Sequence, residues 1–97
     1  MIIGRFKAEC RPEWTDRVAA AMAAVEAASP ELPGVLNFDV ARSLTHPDEL
    51  IAVEVFADRD ALDRQNTQAE VAALIDLVNA GALVRDYEWT VWDAPTP

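Results

Sequence analysis

Residues 31–74 read ELPGVLNFDVARSLTHPDELIAVEVFADRDALDRQNTQAEVAAL, and they contain the clearest strand and helix signals in the chain. The dipeptide Pro33-Gly34 is a turn signal that leads into a predicted strand at residues 35–42. After a polar loop, residues 50–56 are almost continuously apolar, which is typical of a strand in the middle of a sheet. Asp58 then provides an N-cap for a helix. The segment therefore predicts two neighbouring strands followed by a helix.

The flanking segments complete the pattern. At residues 2–9 side chains alternate with period two, which predicts a strand with one face better suited to burial. Apolar residues recur every three to four positions over residues 13–28, which predicts an amphipathic helix. A further helix is predicted at residues 71–78 and a last strand at residues 84–92. The order strand, helix, strand, strand, helix, strand indicates a ferredoxin-like α+β fold with an antiparallel sheet.

Composition excludes several classes of function. The 97 residues predict a single domain at residues 1–93 and a tail at residues 94–97. A formal net charge of -9, without a basic cluster, argues against binding to nucleic acid. The single cysteine, Cys10, excludes an internal disulfide and a multi-cysteine metal site. Because the chain shows neither a signal peptide nor an apolar run of ~20 residues, we expect a cytoplasmic protein that does not span a membrane.

Glu54 is the charge that stands out, because it interrupts the apolar strand at residues 50–56. A buried carboxylate needs a partner or a shifted pKa, so Glu54 is a candidate proton acceptor. The alternative is a cross-strand ion pair, and the pattern favours it because neighbouring strands offer several cations. The candidate partners are Arg5, Lys7, Arg42 and Arg85.

Two other reactive residue types are weaker candidates. His46 precedes a proline among turn-forming residues, which is typical of a surface loop. Cys10 has Arg11 beside it, which favours a thiolate, but it has no histidine close in sequence to act as a base. Neither residue has the companions that a metal site or a nucleophilic site requires.

Aromatic residues offer a surface for a flat ligand. Three tryptophans in so small a chain could line a pocket, or could serve as core and dimer contacts. We expect Trp14 on the first helix and Phe56 at the end of the third strand to point toward a cavity between helix and sheet. Trp92, next to the tail, is a candidate interface residue.

The layout from Pro33-Gly34 to Leu62 resembles the antibiotic biosynthesis monooxygenase family. The family pattern runs from Pro-Gly through an aromatic strand to Glu-x-Trp, acidic residues and Ala-Leu. The matching positions in this chain are Pro33, Gly34, Phe38, Glu54, Asp58, Ala61 and Leu62. The resemblance implies a dimeric α+β barrel, in which two copies pair through their sheets as a homodimer. It also implies a pocket between sheet and helices, where some members oxidise quinols with O2 and without metal or flavin.

Departures from the family pattern bear on the activity. Phe56 stands where tryptophan is usual, and Gln65 stands at a common histidine position. By the resemblance, the pocket asparagine, tryptophan and tyrosine of quinol-oxidising members fall on Ala52, Phe56 and Leu62. Haem-degrading members carry a histidine ligand near Ile75, and its absence removes the simplest basis for haem binding.

The resemblance therefore predicts a small cofactor-independent monooxygenase that acts on a flat phenol or quinol. No metal or cofactor is expected. The alternatives are a non-catalytic binding or accessory protein of the same fold, and an isomerase or cyclase. Glu54 and Gln65 are the catalytic candidates. The residues expected to contact the small aromatic metabolite are Asn37, Phe56, Leu62, Trp14, Arg85 and Tyr87.

Overall fold

A computed structural model describes residues 1–95. The elements are β1 Ile2–Glu9, α1 Thr15–Ala28, β2 Val35–Arg42, β3 Glu49–Phe56, α2 Arg59–Asn66, α3 Ala69–Asn79 and β4 Glu88–Asp93. The strands form one four-stranded antiparallel sheet in the order β2-β3-β1-β4. Helix α1 connects β1 to β2, and α2 and α3 connect β3 to β4. Short 3-10 helices at Pro12–Trp14 and Ser29–Glu31 precede and follow α1. The ferredoxin-like α+β prediction is confirmed.

The side chains of the two central strands, β1 and β3, divide between a face that the helices cover and a face that they do not. In the antiparallel register Ile2 is opposite Phe56 and Ala8 is opposite Leu50, and all four side chains are buried. Because side chains alternate along a strand, the even-numbered residues of β1 and β3 share one face, and the helices pack on it. The buried face predicted for residues 2–9 is therefore confirmed.

The helical side divides into two apolar clusters. The larger one joins α1 to α3 and to the sheet through residues such as Val18, Met22, Leu50 and Leu74. The smaller one lies where β3 passes into α2, and it consists of Ile2, Phe56, Ala61 and Leu62. At this junction Asp58 caps α2, as predicted: its Oδ1 accepts a hydrogen bond of 2.9 Å from the Ala61 N–H.

Gly34, just before β2, allows the chain to pass close to α2. Its φ is +84°, and a Cβ placed there would lie 2.7 Å from the Cβ of Ala61. Glycine tolerates this left-handed backbone because it has no Cβ. The predicted Pro-Gly turn is therefore also a point where two backbone segments come unusually close.

We expect Gly34→Ala to lower the free energy of unfolding by about 2 kcal/mol, because it combines left-handed strain with overpacking against Ala61. Gly81→Ala is the matched control. Gly81 also has a positive φ, +97°, but nothing lies within 4 Å of its added Cβ, so a loss of about 1 kcal/mol is expected. Urea denaturation of both variants measures the difference. Equal losses would show that the approach to Ala61 costs nothing.

The last strand is shorter than predicted. It begins at Glu88, so Arg85 and Tyr87 lie in the segment before it and not in the strand. Cys10 pairs with Leu83 in an isolated bridge, and Lys7 pairs with Glu88. Between these two pairs, two residues of the first segment stand opposite the four residues 84–87. The two extra residues therefore cannot pair in the ladder. The predicted strand start at residue 84 is wrong for this reason.

The other face of the sheet carries no helix within residues 1–95. Val53 is 41 % exposed there and Trp92 is 47 % exposed, while Ile3 and Val55 are half-buried. The tail predicted at residues 94–97 is described only in part: Ala94 N–H donates to the Met1 carbonyl at 2.8 Å, and residues 96–97 lie outside the described residues. In residues 1–95 no helix has the length and apolar character needed to cross a membrane.

Candidate active site

A cavity of about 280 Å³ lies between the helical side of the sheet and the helices. Most of its wall is apolar, with contributions from α1, β1, β2, β3 and α3. The aromatic residues that line it are Phe6, Phe38, Tyr87 and Trp89. Glu54, Gln65 and Asn66 supply amide and carboxyl groups. The combination of apolar walls with a few polar groups is typical of a small-molecule site.

Glu54 is the charged group of this cavity. Its residue exposure is 5 %, and burial raises the pKa of its carboxyl to about 7. Within residues 1–95, no ion pair or side-chain hydrogen bond to this carboxyl is formed. Desolvation disfavours the charged form of a carboxylate, which is the cause of the raised pKa. Near neutral pH the group can therefore either hold or accept a proton.

The predicted ion pair of Glu54 is wrong, because three of the four candidate cations pair with other carboxylates. Lys7 contacts Glu49 at 3.4 Å, Arg42 contacts Asp16 at 3.4 Å, and Arg85 contacts Glu9 at 2.6 Å. Alternation along β1 places Arg5 and Lys7 on the face opposite to the helices. The period of β1 thus directs Arg5 and Lys7 away from the cavity, while Arg42 and Arg85 are held by other carboxylates.

Aromatic rings flank Glu54 across the sheet. In the register Glu54 is paired with Phe38 on one side and with Gly4 on the other. The indole of Trp89 covers Gly4, because a Cβ built on Gly4 would lie 2.5 Å from Trp89 Cη2. Phe6 lies on the same face of β1 as Gly4, and its ring centroid is 5.1 Å from that of Tyr87 at a tilt of 37°. A glycine on β1 thus leaves room for an indole beside the carboxylate.

Gln65 is the second polar group of the cavity and is only 1 % exposed. Its Oε1 accepts a hydrogen bond from Gln68 Nε2 at 2.6 Å and lies 3.1 Å from Ser29 Oγ, whose proton is donated to the Val25 carbonyl at 2.7 Å. Its Nε2 is buried and has no hydrogen-bond partner among the described residues. A buried amide left without a partner is costly, and a ligand that accepts a hydrogen bond would relieve the cost.

Three of the predicted site residues meet at the cavity: Glu54, Gln65 and Tyr87. Phe56 and Leu62 lie instead in the small core cluster between β3 and α2. Their side chains are buried among apolar neighbours, so their evident role is packing.

The remaining three predicted residues lie outside the cavity wall. Trp14 packs beside the larger core cluster, and the Arg17 guanidinium lies 4.3 Å from its ring centroid. Arg85 forms its ion pair with Glu9 on the surface. Asn37 Nδ2 donates to Asp39 Oδ2 at 3.1 Å and to the Val53 carbonyl at 3.3 Å, away from the cavity.

The residues that sequence reasoning missed are the aromatic neighbours of Glu54. Phe6, Phe38 and Trp89 all line the cavity. Strand alternation offered a signal, because Phe6 has the same parity as the buried positions of β1. The location of Trp89 depends on the register of β4, which no local pattern reveals.

The two reactive residue types that lacked companions lie outside the cavity wall. His46 is exposed in the loop between β2 and β3, as predicted. Cys10 is buried, and burial, with Asp48 as a second cause, raises the pKa of its thiol, which disfavours the thiolate. Within residues 1–95, no group of three or more His, Cys, Asp or Glu side chains could hold a metal ion.

The sequence matches a known protein family over most of its length. The family described as antibiotic biosynthesis monooxygenase matches residues 1–77. No match was found among curated proteins.

Solved structures share the fold at low sequence identity. An antibiotic biosynthesis monooxygenase superposes with a TM-score of 0.86 and 23 % identity, covering 99 % of this chain and 100 % of that one. Rv0793 from Mycobacterium tuberculosis gives 0.87 and 20 % over 99 % and 96 % of the two chains. SO0527 from Shewanella oneidensis gives 0.84 and 16 % over 94 % and 87 %.

Proposed function

Because the chain belongs to the antibiotic biosynthesis monooxygenase family, we propose that it binds a flat phenol or quinol in the cavity and oxidises it with O2. The observation that carries this proposal is the buried Glu54 carboxyl, which has no partner in residues 1–95 and has a pKa of about 7. A general base works best when its pKa lies near the operating pH. Glu54 is thus suited to accept a phenolic proton.

The chemistry starts with proton transfer from the substrate hydroxyl to Glu54. The resulting electron-rich phenolate passes one electron to O2, and the radical pair combines to form a carbon–oxygen bond in a ring hydroperoxide. Loss of the ring C–H proton then breaks the O–O bond, and the departing hydroxide takes up a proton to become water. A quinol and O2 thus yield a hydroxyquinone and water. The substrate supplies all four electrons, so the balance requires no external reductant.

The other cavity residues bind and orient the ring. Phe38 and Trp89 flank Glu54 and offer flat apolar surfaces against which an aromatic substrate can stack. Gln65 Nε2 is available to donate to a substrate carbonyl or hydroxyl oxygen. An apolar wall also limits the access of bulk water to a reactive intermediate.

The exposed sheet face supports a homodimer. Val53 and Trp92 are exposed apolar side chains there, and Ile3 and Val55 lie on the same face. A chain of this size gains substantially from burying such a face against a second copy. We therefore propose pairing through the sheet, in a cytoplasmic protein.

Oxygen uptake by purified, metal-free protein tests the oxidation. A panel of simple and polycyclic hydroquinones is supplied with and without chelator. The expected result is uptake above the protein-free rate, unaffected by chelator, with one oxygen atom from labelled O2 in the product. Ligand binding without uptake would contradict the oxidation and indicate the accessory role. Turnover that persists without O2 would indicate an isomerase or cyclase.

Gln65→Leu is expected to reduce kcat/KM by about 10-fold, because it removes one hydrogen bond to the substrate. The protein should remain folded, since leucine suits a buried site. Steady-state oxygen uptake measures the change. Gln68→Leu is the matched control, because Gln68 bonds to Gln65 but does not line the cavity, and it should have a smaller effect. Unchanged kinetics in Gln65→Leu would remove Gln65 from the site.

A further inference from the structure

Glu54 places a negative charge in the cavity wall without a compensating cation. No lysine, arginine or histidine is among the described residues that line the cavity. Residue Glu54 is only 5 % exposed, and no described side chain donates a hydrogen bond to its carboxyl. An ionised carboxylate in such a place is costly unless a positive group reaches it. The ligand itself is then the available source of that group.

The aromatic rings around Glu54 also favour a positively charged ligand. Phe38 is its cross-strand partner, Trp89 covers its other partner Gly4, and Phe6 and Tyr87 line the same cavity. Aromatic faces carry negative electrostatic potential, and they attract ammonium groups, most strongly at tryptophan. Carboxylate and rings therefore act together on a cation.

We propose that this cavity binds a hydrophobic ammonium ion, with its cationic group held by Glu54 between Trp89 and Phe38. The ligand class is a protonated or quaternary amine with an aromatic or aliphatic body, which the apolar walls accommodate. The formal net charge of -9 raises the local concentration of such cations. An organic cation fits better than a metal ion, since Glu54 is the one His, Cys, Asp or Glu among the described residues that line the cavity.

This binding goes beyond the proposed oxidation. It requires no O2 and no turnover, and the ammonium ion engages the ionised form of Glu54, which is the form that accepts the phenolic proton. A bound ammonium ion and a phenolic substrate consequently compete for the same carboxylate. If the oxidation fails its test, the ammonium site is unaffected, because binding alone defines it.

Binding of phenyltrimethylammonium, compared with its neutral isostere tert-butylbenzene, tests the proposal under anaerobic conditions. An NMR titration that follows the indole N–H signals measures both affinities at pH 8. We expect the cation to bind about 10-fold more tightly. At pH 5, where Glu54 is protonated, the preference should shrink. The quaternary ion does not titrate, and the other titratable side chain lining the cavity in the described chain is Tyr87.

Glu54→Gln should reduce the preference for the cation to the part that the aromatic rings supply, while retaining the neutral isostere. Glu49→Gln is the matched control, because Glu49 lies on the same strand and pairs with Lys7 outside the cavity, so the preference should persist. Equal affinity of the wild type for both probes at pH 8 would overturn the proposal, and so would a preference of unchanged size in Glu54→Gln. The wild-type comparison decides the matter even if a variant fails to fold.

Discussion

Phe56→Ala should lower the free energy of unfolding by about 3–5 kcal/mol. The Phe56 side chain is 0 % exposed and packs with Ile2, Ala61 and Leu62 where β3 passes into α2. Alanine removes a ring from a closed cluster, and the backbone of β3 is held on both sides by β1 and β2, so the space cannot readily collapse. A small domain has about 5–15 kcal/mol in total, so this loss is a large fraction of the stability.

Urea denaturation followed by circular dichroism measures this loss, with Phe56→Leu as the matched control. Leucine retains most of the apolar volume, and its cost should be about 1–2 kcal/mol. The comparison also decides the role of the residue. A Phe56→Ala protein that keeps its stability but loses ligand binding would return Phe56 to the cavity wall, where the sequence pattern had predicted it.

Glu54→Gln should stabilise the protein by about 3 kcal/mol at pH 8 and have little effect at pH 4. The pKa of Glu54 is 4.5 in the reference state and about 7 in the folded protein. The folded state therefore binds the proton more tightly. The stability from this group is fully present below pH 4.5 and is lost as the pH rises through about 7. Glutamine cannot ionise, so the variant escapes that loss.

The measurement is the free energy of unfolding of both proteins between pH 4 and pH 8. The difference between them should grow across the window from 4.5 to about 7 and then level off. Glu49→Gln serves as the control, because that carboxylate is paired with Lys7 on the opposite face of the sheet. A constant difference over the whole range would mean that Glu54 has the same pKa in the folded and unfolded chain.

The sequence predicted the central part of the fold well because its signals there are local. The bounds of β1 and β2 follow from alternation and turn residues, and the Asp58 cap follows from residue type. The start of β4 did not follow, because residues 84–87 have strand-like composition but are too numerous for the register with β1. Pairing between distant segments decides that length, and no local pattern contains it.

The site was predicted less completely than the fold for a related reason. Glu54 was recognised as an anomaly within its own strand, and strand parity directs it to the helical side. Whether an arginine could reach it depended on the parity of other strands, which separates Arg5 from it. Trp89 enters the site only because Gly4 leaves space for it. Because the position of Trp89 depends on the absence of a side chain at Gly4 on another strand, its role in the site cannot be identified from its own sequence neighbours.

The segment at residues 84–87 contributes a residue to the cavity without belonging to a strand of the sheet. Tyr87 lies in this segment and lines the cavity, yet the segment contributes no rung to the ladder between β1 and β4. Insertions and deletions in such a loop cost little, since the closure penalty rises only slowly with length. The length of this segment can therefore change without shifting the register of the strands, and such a change would move Tyr87 at the cavity wall.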